Sequence, residues 1–375
     1  MTDATLNSVR PPAVAGAFYP GTVEGLRSQL SVLLASARAT DLRRPKALIA
    51  PHAGYVYSGS IAASAYARLA PHRDEYSRVV LLGPAHRVRL RGLALPETTT
   101  FVTPLGEISL DHDAVVALRG LPQVCVSDEA HALEHSLEVH LPFLQQTLAA
   151  FTLVPLAVGD ASVQEVGEVL DLLWGGNETL IVVSSDLSHY LPYSQARLVD
   201  EHTTRMILEL APRLNHEQAC GATPVNGLLH TAGRRGLRPE LLDLRNSGDT
   251  AGDRSRVVGY ASFAFYDDVQ ANARAAAFQD PRFEPLRFEE LSITQVEVSV
   301  LSTRQPIPFI DEEDALAQLR PCIDGIVLEF GRHRSTFLPQ VWDSLPEPRR
   351  FLAELKRKAG LAPASCVSAS TTAWC

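Results

Sequence analysis

The sequence predicts an α/β protein with a mostly parallel mixed sheet flanked by helices, followed by a smaller α+β domain. Two observations predict it. Apolar runs of strand length alternate with segments of helical periodicity over the first 268 residues, a rhythm that builds a largely parallel sheet covered on both faces. Composition then changes: the alanine-rich, helical stretch Asp267–Gln279 is broken by Asp280-Pro281-Arg282-Phe283-Glu284-Pro285, and a new strand-like run, Gln295–Leu301, follows.

In chain order, the apolar spacing of Val23–Ala39 predicts a helix, and the short run Ala47–Ala50 a buried strand. Ser60–Leu69 returns to helical spacing before the β-branched run Val79–Leu82. Leu133–Leu148 reads as one helix, then Thr152–Ala157 as a strand, Ser162–Leu173 as a helix and Leu180–Ser184 as a strand. Helices over Ala196–Leu210 and Val225–Ala232 and strands over Leu241–Leu244 and Val257–Phe265 complete the first domain, residues 1–268. Residues 269–361 form the second domain. The remainder, 362–375, is rich in Ser, Thr and Ala without apolar period and is expected to be frayed or disordered.

Charge and composition narrow the function classes. With 34 Lys and Arg against 43 Asp and Glu in 375 residues, the formal charge is −9, which argues against a general binder of nucleic acid or anionic membranes. Hydrophobic residues at 46% and charged residues at 21% are the balance of a chain that buries a core. Met1–Pro12 holds no apolar run of the signal-peptide kind and no later stretch is long enough to span a bilayer, so a cytoplasmic location is expected. The five cysteines, Cys125, Cys220, Cys322, Cys366 and Cys375, are scattered and odd in number, and suggest neither a disulfide framework nor a zinc-thiolate cluster.

Chemistry-bearing residues gather where strands end. The runs exit into Pro51-His52-Ala53-Gly54-Tyr55, Gly83-Pro84-Ala85-His86-Arg87 and Ser185-Asp186-Leu187-Ser188-His189-Tyr190. If these strands are parallel neighbours, the histidines converge on the carboxyl edge of the sheet, where such folds bind ligands. His52 and His86 are then candidate metal ligands, and Cys220, followed by Gly221, is a candidate third; the competing reading of Cys220 is a small buried hydrophobe. Asp186 and His189 form a candidate acid/base pair, set against a reading of Asp186 or Ser185 as a helix cap. Glu134, His135, Glu138 and His140 crowd one segment, but HExxH spacing is absent and a zinc-protease helix is excluded. There, a solvated face is the competing reading for Glu138, while His135 and His140 are expected to line the pocket. Tyr55, Tyr57 and Tyr190 flank the candidate ligands as substrate contacts or as packing residues. No GxGxxG, Walker or GxSxG pattern occurs.

Taken together, Pro12-Ala13-Val14-Ala15-Gly16-Ala17-Phe18-Tyr19-Pro20, Pro51-His52-Ala53-Gly54-Tyr55, Leu82-Gly83-Pro84-Ala85-His86, Glu134-His135-Ser136-Leu137-Glu138-Val139-His140-Leu141-Pro142-Phe143 and Ser184-Ser185-Asp186-Leu187-Ser188-His189-Tyr190 resemble the Memo family, in the same order. The likeness covers roughly residues 7–268. It implies the fold of the LigB-type extradiol dioxygenases, with His52, His86 and Cys220 as ligands of iron(II) or copper, Cys220 taking the place of the dioxygenases' carboxylate. It further implies His189 as acid/base, which Asp186 is expected to assist, with Glu134, His135, His140, Tyr55 and Tyr190 shaping the pocket.

From about Ala271 to Leu361 the chain resembles the AMMECR family, carried by Asp280-Pro281-Arg282-Phe283, Glu297-Val298-Ser299-Val300-Leu301, Thr336-Phe337-Leu338-Pro339-Gln340-Val341-Trp342 and Lys358-Ala359-Gly360-Leu361. The Arg-Gly-Cys-Ile-Gly motif of that family has no counterpart, hence the expectation of an incomplete domain. Memo-like and AMMECR-like domains occur together in the AmmeMemoRadiSam system. The implied function is a metal-dependent redox, dioxygenase-like enzyme of that system acting on an unidentified small molecule. The alternatives are a metal-sequestering or peptide-binding adaptor, or a partner of a radical S-adenosylmethionine protein in modifying a macromolecule.

Overall fold

The computed structural model describes residues 8–37, 43–267, 306–307, 309, 311–330, 333–337, 339–361 and 372–374. The chain divides into two compact units, Met1–Pro285 and Leu286–Cys375. The expected domain boundary at residue 268 lies outside the described residues.

The larger unit begins with strand β1 (Val9–Arg10) and helix α1 (Val23–Ser36), whose first turn is capped by the Thr22 hydroxyl. Strand β2 (Pro45–Ala50), helix α2 (Tyr55–Tyr66) with a 3₁₀ turn over Ala67–His72, and strand β3 (Arg78–Pro84) follow. A segment that apolar spacing did not predict supplies β4 (Leu93–Leu95), β5 (Thr100–Thr103), β6 (Gly106–Ser109), α3 (His112–Leu118) and β7 (Val124–Val126). These strands are three or four residues long, too short to show a period.

The helix expected over Leu133–Leu148 is instead two pieces, α5 (His135–Glu138) and α6 (Leu141–Thr147), preceded by the short α4 (Asp128–Ala132). Glu134 breaks the first junction by accepting the Ser136 amide as an N-cap, and Pro142 starts the last piece. After them come β8 (Thr152–Val158), α7 (Val163–Leu173, with a Ser162/Glu165 capping box), β9 (Thr179–Ser184), β10 (His189–Leu191) and α8 (Tyr193–Leu208). Helix α9 (Ala222–Arg235) ends at Gly236, whose φ of +73° closes it with a left-handed cap before β11 (Leu237–Asn246), α10 (Ser247–Thr250) and β12 (Val257–Asp267).

Strands β2, β9, β3 and β8 lie side by side in that order, all parallel. Antiparallel β12 flanks β2, and β4 flanks β8, giving a nine-stranded mixed sheet. Side chains alternate between two cores. Ile49, Val80, Leu82, Val154, Ile181 and Val183 pack toward α7 and α9, whereas Leu48, Val79, Leu81, Leu153, Leu180 and Val182 pack toward α1, α2 and α6. A strand buried on both faces reads as an unbroken apolar run, which is why these four were legible.

In the smaller unit, an antiparallel sheet joins Pro306–Ile307, Thr372–Trp374, Ile326–Phe330 and His333–Phe337 in that order. Helix Pro348–Lys358 covers it, with Trp342 stacked on Phe351 at 3.8 Å between ring centroids. The buried Lys356 ammonium pairs with Glu312 at 2.7 Å. Of the tail, residues 362–371 and 375 lie outside the described residues, and Thr372–Trp374 pairs as a strand with both Pro306–Ile307 and Ile326–Phe330.

Candidate metal centre

Three candidate residues sit at equivalent places in three adjacent parallel strands. His52 follows β2 by two residues, Asp186 follows β9 by two, and His86 follows β3 by two. Because Ala50 is in register with Ser184 and Leu82 with Val183, these residues leave the sheet together at its carboxyl edge. Cys220 arrives from across the chain, just before α9. Its amide donates to the Asp186 carbonyl at 3.2 Å, and the Gly221 amide donates to the Ser185 hydroxyl at 3.0 Å. A Cβ at Gly221 would lie 2.4 Å from the Ser184 carbonyl oxygen, so glycine is what allows α9 this close to β9.

One donor atom from each of His52, His86 and Cys220 lies within 4.8 Å of the others. His52 Nε2 is 3.3 Å from Cys220 Sγ. The tautomers follow from the hydrogen bonds. Ser184 Oγ donates to the Ser136 carbonyl at 2.6 Å, which uses its one proton, so it accepts from His52 Nδ1 at 2.6 Å and from His140 Nε2 at 2.8 Å. His52 is therefore protonated on Nδ1, and its Nε2 lone pair faces the site. His86 Nδ1 donates to Glu134 Oε1 at 2.9 Å and its amide to Glu134 Oε2 at 2.6 Å, which again leaves Nε2 free. Such outer partners set the tautomer and ring orientation of metal-binding histidines.

Burial, reinforced by the neighbouring imidazoles, keeps His52 well below the usual histidine range, so it is neutral. Burial pushes the Glu134 carboxyl up, but its hydrogen bonds from His86 and Ser136 prevail and hold it at about 2. Burial and the nearby Asp186 push the Cys220 thiol up, so without a metal it is a thiol. A bound cation reverses that preference, since a coordinated thiol is deprotonated. The donor set, two imidazole lone pairs and one thiol, fits a transition-metal ion.

His86, Glu134 and His135 form a second close group. There Glu134 already accepts three hydrogen bonds, from the His86 amide and ring and the Ser136 amide, and coordination would cost it these. It serves as the outer partner of His86. His135 stacks on His86 at 4.8 Å and meets the edge of His52 at 5.4 Å, and burial lowers it to about 4.

The expected pairing of Asp186 with His189 is not formed. Asp186 Oδ1 accepts the His52 amide at 2.8 Å and Oδ2 lies 4.0 Å from His52 Nε2; burial raises the carboxyl to about 7. His189 is oriented by its own backbone instead, Nδ1 donating to the Leu187 carbonyl at 2.8 Å, which leaves Nε2 free. His189, Tyr190, His86 and Cys220 line a cleft of about 1070 Å³ together with Leu198, Val199 and His202 of α8 and residues 215–218.

Two expected pocket residues lie elsewhere. Tyr55 is buried, donates its hydroxyl to the Val139 carbonyl at 2.7 Å and packs on Phe143. His140 is fully buried behind Ser184, its Nδ1 bonded to the Tyr66 hydroxyl at 2.8 Å. Glu138 is no solvated residue: it is buried, pairs with Arg10, and accepts from the Ala13 and Val14 amides and from Tyr19. Arg10 also donates to the Glu134 carbonyl at 2.8 Å, tying the first strand to the turn that carries Glu134.

Sequence reasoning passed over Ser184, although it immediately precedes the polar segment that was singled out. It also missed the α8 wall of the cleft, which no residue pattern marked.

A family model described as Memo-like protein matches residues 10–264, and one described as AMMECR1 matches 259–374. A MEMO1 family protein of Aquifex aeolicus is 35% identical over 273 residues, covering 68% of this chain and 99% of that protein. One from Archaeoglobus fulgidus is 36% identical over 275 residues, covering 68% and 99%. A solved structure of an uncharacterized protein from Pyrococcus horikoshii is 30% identical over 31% of this chain and 61% of its own, with a TM-score of 0.25.

Proposed function

The chain belongs to the Memo family, and on that premise we propose that His52, His86 and Cys220 hold iron(II) or copper in a redox, dioxygenase-like enzyme. The observation that carries the reading is that two imidazole Nε2 lone pairs and one thiol stand within 4.8 Å of one another, each ring held by a buried partner on its other nitrogen. The thiolate broadens the choice of ion beyond iron toward softer copper. A bound ion would supply Lewis acidity and a one-electron couple at the mouth of the cleft.

The protein's own residues do the rest. Ser184 and Glu134 fix the two ligand rings, and Asp186 holds the His52 backbone. His189 offers Nε2 to a ligand in the cleft and takes up or returns a proton there; burial lowers its affinity for that proton, which keeps the ring neutral and ready to accept. Leu198 and Val199 provide an apolar wall against which a small molecule lies. A partnership with a radical S-adenosylmethionine protein extends the same reading to the system in which such domains occur, and coprecipitation of the two proteins tests it.

Anaerobic purification followed by metal analysis tests the centre. Near-stoichiometric iron or copper in the wild type and its loss from His52→Ala, His86→Ala and Cys220→Ala are expected. Full retention of metal by the two histidine variants would sink the assignment. Metal held at full occupancy with no oxygen consumption, across a panel of small-molecule substrates, would point to sequestration instead.

A further inference from the structure

The cleft has room for more than the group that reacts. At about 1070 Å³ it is larger than most small-molecule pockets, which hold about 300–1,000 Å³, and the candidate metal ligands His86 and Cys220 form only part of its lining. Two other lining residues, Tyr190 and Leu198, are large hydrophobic side chains left 63% and 70% exposed. One such residue alone on a surface is ordinary, but here Leu191 and Val199 line the same concavity, and together they make an apolar patch continuous with the metal centre.

Tyr190 is the anomaly. In a regular strand successive side chains point to opposite faces, yet His189, Tyr190 and Leu191 of β10 all line the cleft. The backbone explains how. His189 pairs with Val258 and Leu191 with Val257, so Tyr190 is an extra residue bulged out of the ladder, and its φ is +58°. Glycine takes that left-handed conformation freely, whereas a bulky side chain adopts it at a cost. The ring gains little burial in return: its neighbours are the edge of His189 at 5.8 Å and the Arg256 guanidinium, 5.2 Å over the ring. Strain held without a packing gain marks a side chain kept in place for a ligand.

We infer that Tyr190 and Leu198 are specificity-determining residues that bind the non-reacting, apolar part of the substrate. The substrate class is then an amphipathic small molecule, with a polar group at His86, Cys220 and His189 and a hydrocarbon part against Tyr190 and Leu198. The inference rests on the reading of this cleft as the place of reaction. Covering the two exposed side chains removes apolar surface from water, and binding energy gained at a distance from the metal can be spent on orienting the reacting end.

The test is fluorescence titration of the full chain, with and without bound metal, using the uncharged apolar dye Nile red and its displacement by straight-chain alcohols from butanol to octanol. Saturable binding of one dye per chain is expected, at the same affinity in both forms, and each added methylene should improve displacement about two- to fourfold. Tyr190→Asn and Leu198→Ser should each weaken the dye about tenfold and shrink the advantage of octanol over butanol, while Tyr190→Phe stays within about twofold of the wild type. Tyr190→Asn should also melt no lower than the wild type, because asparagine takes a positive φ more readily and the ring it replaces is mostly exposed. No saturable binding, alcohols of every length displacing equally, wild-type affinity in both variants, binding that needs the metal, or a marked drop in the melting temperature of Tyr190→Asn would each overturn the inference. Because the dye reads the subsite in metal-free protein, failure of the metal centre shows in metal analysis and failure of the subsite in the titration.

Discussion

Ser184 accepts hydrogen bonds from two buried imidazoles while giving its own proton to a backbone carbonyl, so three groups depend on one hydroxyl. Ser184→Ala leaves two ring N–H groups and the Ser136 carbonyl without partners. The expected cost is about 1–3 kcal/mol per orphaned group, partly relieved by ring rotation, and it is read by urea denaturation. Rotation of His52 would also turn its Nε2 away, so metal affinity should fall about 10–100-fold in competition titrations. Unchanged affinity would show that the ring is held by packing against His135 and His86 alone. The same reasoning separates Glu134 from the residues around it: it is expected from the sequence to shape the pocket, yet its bonds make it a holder of His86.

At the scale of elements, the centre depends on how closely helices approach the strand ends. Gly221→Ala places a methyl 2.4 Å from the Ser184 carbonyl oxygen and 2.7 Å from Ser185 Cβ. Pushing α9 away should destabilise the fold by about 1–3 kcal/mol and displace Cys220, so that chemical denaturation and metal titration shift together. Helix α8 contributes through Asp200, buried and accepting the Ser188 amide at 3.0 Å, with Gly259 lacking the Cβ that would strike its carboxylate. Burial raises Asp200 to about 6, so between about pH 4 and 6 the folded state holds a proton that the unfolded chain has released. That contribution is full below pH 4 and disappears as pH rises through 6, on the order of 2–3 kcal/mol. Asp200→Asn should flatten this part of the stability–pH curve; an identical slope in the variant would refute the assignment.

At the scale of the molecule, the two units carry separate cores. Every candidate ligand and every lining residue of the cleft lies in Met1–Pro285. That unit produced alone should melt cooperatively and bind metal as the full chain does, within about threefold. A tenfold loss would mean that the smaller unit contributes to the centre. Among the described residues no helix is long and apolar enough to cross a membrane.

Sequence by itself determined the α/β class, the parallel strands and the polar segments that follow them, because a strand buried on two faces must be apolar throughout and its chemistry must wait for the turn. It also marked His52, His86 and Cys220, whose residue types bind metals and whose motifs resemble one family. Only the tertiary structure decided what each neighbour does. Glu134 and Glu138, four residues apart, read as one helical pattern, but one holds His86 and the other is clamped by Arg10, whose partners lie more than a hundred residues away in the chain. Tyr55, three residues after His52, and His140, five after His135, point their polar atoms into the interior, whereas Asp186, far from His52 in the chain, accepts the His52 amide. Proximity along the chain does not say on which side of a sheet edge a side chain falls; strand register and helix approach do, and both are properties of packing between distant segments.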